Sequence, residues 1–177
     1  MTEYNKLIND VNNDKFSPIY LIHGEENYFI NNIIENITRN VINETSADFD
    51  LKKIYGKKSD ESQENDIIDF VKRFPLSGDY NLLIAKDSKN ISTDFKNIIS
   101  YIENNNPKTI LVLSFTNNVD KRKKIYKSSL KNGVVFESKK IYDNQVYNWI
   151  QEQCKSKSLN LHPNSIKIIE DFTGNDL

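Results

Sequence analysis

The stretch "IYLIHGEENYFINNIIENI", residues 19–37, decides how the chain folds. An apolar run ends at Gly24, a short polar turn follows, and isoleucines then recur at helical spacing from Ile30 to Ile37. The first part predicts a strand and the second a helix with one buried face. A glycine turn joining such a pair is the layout of a phosphate-binding loop. That loop requires the pattern G-x-x-x-x-G-K-[ST]: glycines let the backbone wrap the phosphates, lysine neutralises them, and a hydroxyl binds magnesium. Counted from Gly24, the three chemical positions hold Phe29, Ile30 and Asn31. None can do the work, so the loop is degenerate. Free N–H groups at the helix start could attract an anion, but Glu25 and Glu26 already place negative charge there.

Four further apolar runs predict strands: "FDLKKIY" (49–55), "NLLIA" (81–85), "TILVLSF" (109–115) and "GVVFE" (133–137). Helical faces lie between them, one of Ile67, Ile68, Phe70 and Val71 and another of Phe95, Ile98, Ile99 and Ile102. A weaker one, "DKRKKIYKSSLK", carries Ile125, Tyr126 and Leu130. Strands alternating with helices imply a mainly parallel sheet. Continuous apolar runs suit interior strands covered on both faces, and the charges in "FDLKKIY" suit an edge. Interior places are therefore expected for the first, third and fourth strands.

After the fifth strand the pattern changes. Val146, Trp149, Ile150 and Cys154 make one helical face, and a second helix with Pro163 in its first turn carries Ile166, Ile168, Ile169 and Phe172. The expected division is an α/β domain over 1–141 and the beginning of a small helical domain over 142–177, truncated before it can enclose a core.

Composition excludes several classes. A net charge of −1 gives no global field toward nucleic acid or anionic lipid. One cysteine, Cys154, allows neither an intrachain disulfide nor a cysteine-rich zinc site, and the two histidines, His23 and His162, are far apart in sequence. Asp87, after "LLIAK", is a lone acid of the kind found in turns. No catalytic residue, metal site or cofactor is expected. Apolar stretches are too short to span a membrane, and the opening "MTEYNKLINDVNND" has no signal-peptide character. The cytoplasm is the expected location.

Taken together, "PIYLIHGEENYFI", "RFPLSGDYNLLIAKD", "TILVLSF…VDKRKKIYKSSLKNGVVFE" and "WIQEQCKSKSLNLHPNSIKIIEDFTGNDL" resemble the delta subunit of bacterial DNA polymerase III. The resemblance covers essentially the whole chain. It implies an AAA+-like first domain with a degenerate phosphate loop, the beginning of a lid, and a collar domain that this chain lacks. It also implies no ATP binding and no intrinsic catalysis, though the parent assembly is a DNA-directed DNA polymerase, a nucleotidyltransferase. The implied partners are the sliding clamp (the beta subunit), the gamma/tau and delta-prime loader subunits, and primer–template DNA through the assembled complex. The nucleotide-sensing arginine of ATP-binding relatives would fall after Gly174 at about Leu177 and is missing.

The resemblance places the clamp-binding element at "RFPLSGD", with Phe74, Pro75 and Leu76 as an apolar plug. Two bulky apolar groups beside a proline can fill a hydrophobic pocket at a small ordering cost. On the residues alone, Phe74 could equally end a helix and pack inward, with Leu76 capping the core. The basic run Lys121, Arg122, Lys123 and Lys124 reads as a solvated helix face or as a phosphate contact within an assembled loader. The rival readings of the whole chain are an active P-loop NTPase with an atypical loop and a DNA-binding module.

Overall fold

The computed structural model describes residues 2–57, 62–156 and 158–173. They divide into two compact units, Met1–Ser138 and Lys139–Leu177.

The first unit is built on five strands: β1 (Ile19–Gly24), β2 (Leu51–Tyr55), β3 (Asn81–Lys86), β4 (Thr109–Phe115) and β5 (Val134–Ser138). Their order is β2-β3-β4-β1-β5, and every pairing is parallel. The charged strand β2 is an edge, and β1, β3 and β4 are interior, as their sequences require. Every residue of β4 is buried, and β3 is buried over its first five. In β2 only Ile54 is buried, because one side of that strand has no neighbour.

The helices of this unit are α1 (Thr2–Asn12), α2 (Asn27–Val41), α3 (Ala47–Asp50), α4 (Ser62–Val71), α5 (Lys96–Glu103) and α6 (Lys124–Asn132). Side chains alternate across a pleated strand. Leu21, Leu83, Leu111 and Leu113 accordingly share a core with Ile67 and Val71 of α4, Ile98 and Ile102 of α5, and Ile125 of α6. The alternate residues Tyr20, Ile22, Leu82, Ile84 and Val112 are equally buried. Their face takes α2, whose Phe29, Ile30, Ile33, Ile34 and Ile37 form its buried stripe.

The structure adds one element and shifts others. The opening segment forms the helix α1, which holds Leu7 and Val11 in the core. Phe49 and Asp50 belong to α3 and not to β2. Phe95 precedes α5 with φ at +57°, in the left-handed region, so it is buried as a cap residue outside the helix. Helix α6 starts only at Lys124, leaving Lys121 to Lys123 in the turn before it. Its inner face uses the small Ser128 and Ser129 beside Ile125, and Leu130 points outward.

The second unit holds α7 (Asp143–Ser156) and α8 (Pro163–Thr173), with Val146, Ile150, Cys154 and Ile166 buried. Ile168 and Phe172 are exposed there. Gly174 and Leu177, the expected place of the missing sensor, lie outside the described residues. No helix among the described residues is long and apolar enough to cross a membrane.

Candidate functional site

In a nucleotide-binding protein of this layout the phosphates would sit at the turn after β1. Gly24 has φ at +134°, and a Cβ at this position would meet the Ser138 carbonyl at 1.9 Å, so only glycine fits against β5. The turn is stitched to the same residue. Glu25 N–H donates to the Ser138 carbonyl at 2.9 Å, and Ser138 Oγ donates to the Glu26 carbonyl at 2.6 Å. Glu26 caps α2, its carboxylate accepting the Tyr28 N–H. Phe29 and Ile30 are each 5% exposed, and Phe29 packs edge-on against Tyr4 with ring centroids 4.8 Å apart. Asn31 faces out and accepts a hydrogen bond from Lys86 Nζ. The positions that would hold phosphate chemistry are thus spent on the core and its border.

Open α/β sheets bind ligands beyond the carboxyl ends of their strands. At that end β1 presents His23, which is fully buried. Its Nδ1 accepts the Val119 N–H at 3.4 Å, and its ring meets Tyr126 edge-on. Burial holds the imidazole below its usual pKa, against the opposing pull of Glu137, so the ring is neutral and structural. Asp87 adopts a left-handed turn, and no group of acids, histidines or cysteines among the described residues could hold a metal.

The segment between α4 and β3 is built the opposite way. Phe74 is 73% exposed and Leu76 is 75% exposed, so neither packs inward. Their backbone is nonetheless fixed. Asp50, at the end of α3 and fully buried, accepts the N–H groups of Leu76, Ser77 and Gly78 at 2.6, 2.8 and 2.6 Å. Burial pushes the Asp50 carboxyl up in pKa; the three N–H donors and the Arg73 charge outweigh it, leaving the group below the usual carboxylate value. On the other side of the loop the Arg73 carbonyl accepts from Asn81 Nδ2 at 2.7 Å and Asn106 Nδ2 at 3.2 Å. The Arg73 guanidinium lies 4.4 Å from the centroid of the Phe70 ring. Phe74 and Leu76 border different hollows, Phe74 beside α4 and α5, Leu76 beside α3, β2 and α4.

The basic run is largely paired. Lys121 meets Glu137 at 2.8 Å, Arg122 meets Asp120 at 2.9 Å, and Lys124 meets Glu103 at 3.6 Å. Hydrogen bonds from Arg122 hold the Asp120 carboxyl down to about 2.

A model of the family described as DNA polymerase III, delta subunit, matches residues 20–139. The chain belongs to that family. The DNA polymerase III subunit delta of Bacillus subtilis is 25% identical over 134 residues, covering 70% of this chain and 38% of that protein. Among solved structures, the Bacillus subtilis DNA clamp loader delta protein superposes with a TM-score of 0.78 at 20% identity, over 96% of this chain and 51% of the other. A gamma subunit-related protein from Thermotoga maritima gives 0.54 at 15% identity, over 84% of this chain and 49% of the other. Both likenesses establish an AAA+-like fold. The chain therefore spans between a third and about half of the length of these delta relatives. For a delta-family chain, the residue that sequence reasoning missed is Asp50. Its three partners lie 26 to 28 positions away and are backbone groups, which leave no side-chain pattern to find.

Proposed function

We propose that this chain is the clamp-engaging part of a clamp-loader delta subunit. It binds one edge of the ring-shaped sliding clamp through Phe74, Pro75 and Leu76 and stabilises an open ring interface for loading on primed DNA. The observation that carries this reading is the exposure of Phe74 and Leu76 on a backbone held by Asp50. Apolar anchors presented by an ordered backbone lose little entropy on docking, which is how a small surface reaches useful affinity.

The chain performs no bond chemistry, and ATP is bound by the neighbouring gamma/tau subunits. Binding the open ring better than the closed one shifts the clamp's equilibrium toward opening. Delta-prime and primer–template DNA join through the assembled complex, residues 142–177 begin the lid, and the work takes place in the cytoplasm.

Calorimetric titration with the cognate sliding clamp tests the reading. Two central apolar anchors of about 2 kcal/mol each predict that Phe74→Ala with Leu76→Ala weakens binding by roughly a thousandfold if the losses add. Unchanged affinity would refute clamp contact through this loop. Saturable micromolar binding of magnesium-ATP, lost on altering residues 24–31, would refute the nucleotide-independent role.

A further inference from the structure

We infer that the clamp-contact surface is composite, with Phe49 of α3 as a third apolar contact beside Leu76. The inference deepens the clamp-binding reading above and rests on it. Phe49 is 56% exposed, although it precedes a fully buried residue, Asp50. It lines the same open hollow as Leu76, on a floor that includes Leu51 and the buried ring of Phe70.

The backbones that carry the two side chains are tied together. Asp50 grips the Leu76 N–H at 2.6 Å, and Ser77 Oγ donates to the Thr45 carbonyl at 3.3 Å, just ahead of α3. Helix α3 and the loop after α4 therefore form one stitched unit, and a partner that meets Leu76 meets Phe49 with no rearrangement of this chain. Continuity with the Leu76 loop commits the occupant to the sliding clamp.

The charges around the hollow sharpen the chemistry. Asp48 and Asp69 oppose Lys52 and Arg73, two acids against two bases, so no net field favours an acidic or a basic segment. Arg73 and Lys52 also lie over the Phe70 ring, at 4.4 and 6.0 Å from its centroid. What the hollow offers is apolar area with a neutral rim, and its occupant is an apolar side-chain group on the clamp edge.

Titrating the cognate clamp with Phe49→Ala, Phe49→Leu and Leu76→Ala variants tests this. Phe49→Ala is expected to weaken binding about five- to tenfold, the loss typical of a secondary apolar contact. Its thermal midpoint should stay at the parent value because the ring is exposed, and Phe49→Leu should restore most of the affinity. Phe49→Ala binding at parent affinity while Leu76→Ala weakens it would overturn the composite surface and leave the clamp-binding reading standing. Parent affinity in both alanine variants would overturn the two together.

Discussion

The turn at residues 24–31 and the loop at residues 72–80 solve one problem in opposite ways. Each leaves backbone N–H groups facing a possible anion, and in each the chain supplies its own acceptor. After β1 the acceptors are the Ser138 carbonyl and the Glu26 carboxylate, and the apolar side chains Phe29 and Ile30 turn inward. After α4 the acceptor is Asp50, and the apolar side chains Phe74 and Leu76 turn outward. The direction of the apolar groups separates the two. A turn that buries them has become part of the core, whereas a turn that shows them on an ordered backbone is what the proposed clamp contact requires.

The strongest way to break this contrast is to rewrite the first turn as a working phosphate loop. Phe29→Gly, Ile30→Lys and Asn31→Thr together would remove a buried ring, bury an unpaired ammonium and leave a cavity under α1. Large-to-small core changes alone cost about 3–5 kcal/mol for a phenylalanine, comparable with the whole stability of many domains. The expected outcome is an unfolded or barely folded chain that gains no magnesium-ATP binding, read by urea unfolding and nucleotide titration. A stable variant that binds ATP would mean that the turn is an idle nucleotide site.

The same contrast explains which features could be read from sequence. The interior strands announce themselves because burial on both faces demands continuous apolar runs, as in "TILVLSF". The degenerate loop was equally visible, since Phe29 and Ile30 continue the helical stripe of α2. Helix α1 was obscured because its buried Leu7 and Val11 are scattered among polar residues. Phe49 reads as part of a strand because "FDLKKIY" carries no turn residue to separate it from Leu51, whereas α3 runs on to Asp50. Phe74 and Leu76 are nominated by the family resemblance, because no pattern of their own marks them as a contact. Whether they face in or out is not legible in the sequence, because that depends on a carboxylate more than twenty residues upstream.

A gentler perturbation loosens the second loop. Asp50→Ala strands three N–H groups, and losing a charge-assisted acceptor should destabilise the first unit by roughly 2 kcal/mol. Clamp affinity should fall as well, since the anchors would then be ordered at the expense of binding. The effect has a pH signature. Asp50 titrates below its usual value in the folded chain, so its contribution is fully present above about pH 4 and is lost as pH falls through that lowered value. His23 is also depressed by burial, and its contribution is present above about pH 6.5 and declines below it. Denaturant unfolding across pH should therefore show two separate limbs, the lower one shared with the exposed Asp120, and Asp50→Asn should shrink only that lower limb. A variant whose lower limb keeps its full height would show that Asp50 is not the titrating latch.

The smallest effect is expected at the basic run, which shares with the 24–31 turn the habit of satisfying its own groups. Replacing Lys121, Arg122, Lys123 and Lys124 by alanine removes pairs to Glu137, Asp120 and Glu103 that are largely exposed. Exposed pairs contribute little, so the unfolding midpoint should not measurably move. Phosphate binding draws its strength from released counterions, roughly one per contact, and here most cations would first have to give up a carboxylate. Duplex DNA titrated against the isolated chain should accordingly bind weakly, with a shallow dependence on salt, and the fourfold variant should differ little. Steep salt-dependent binding that vanishes in the variant would make this run a second working surface, one that exchanges its own acids for phosphates when DNA arrives.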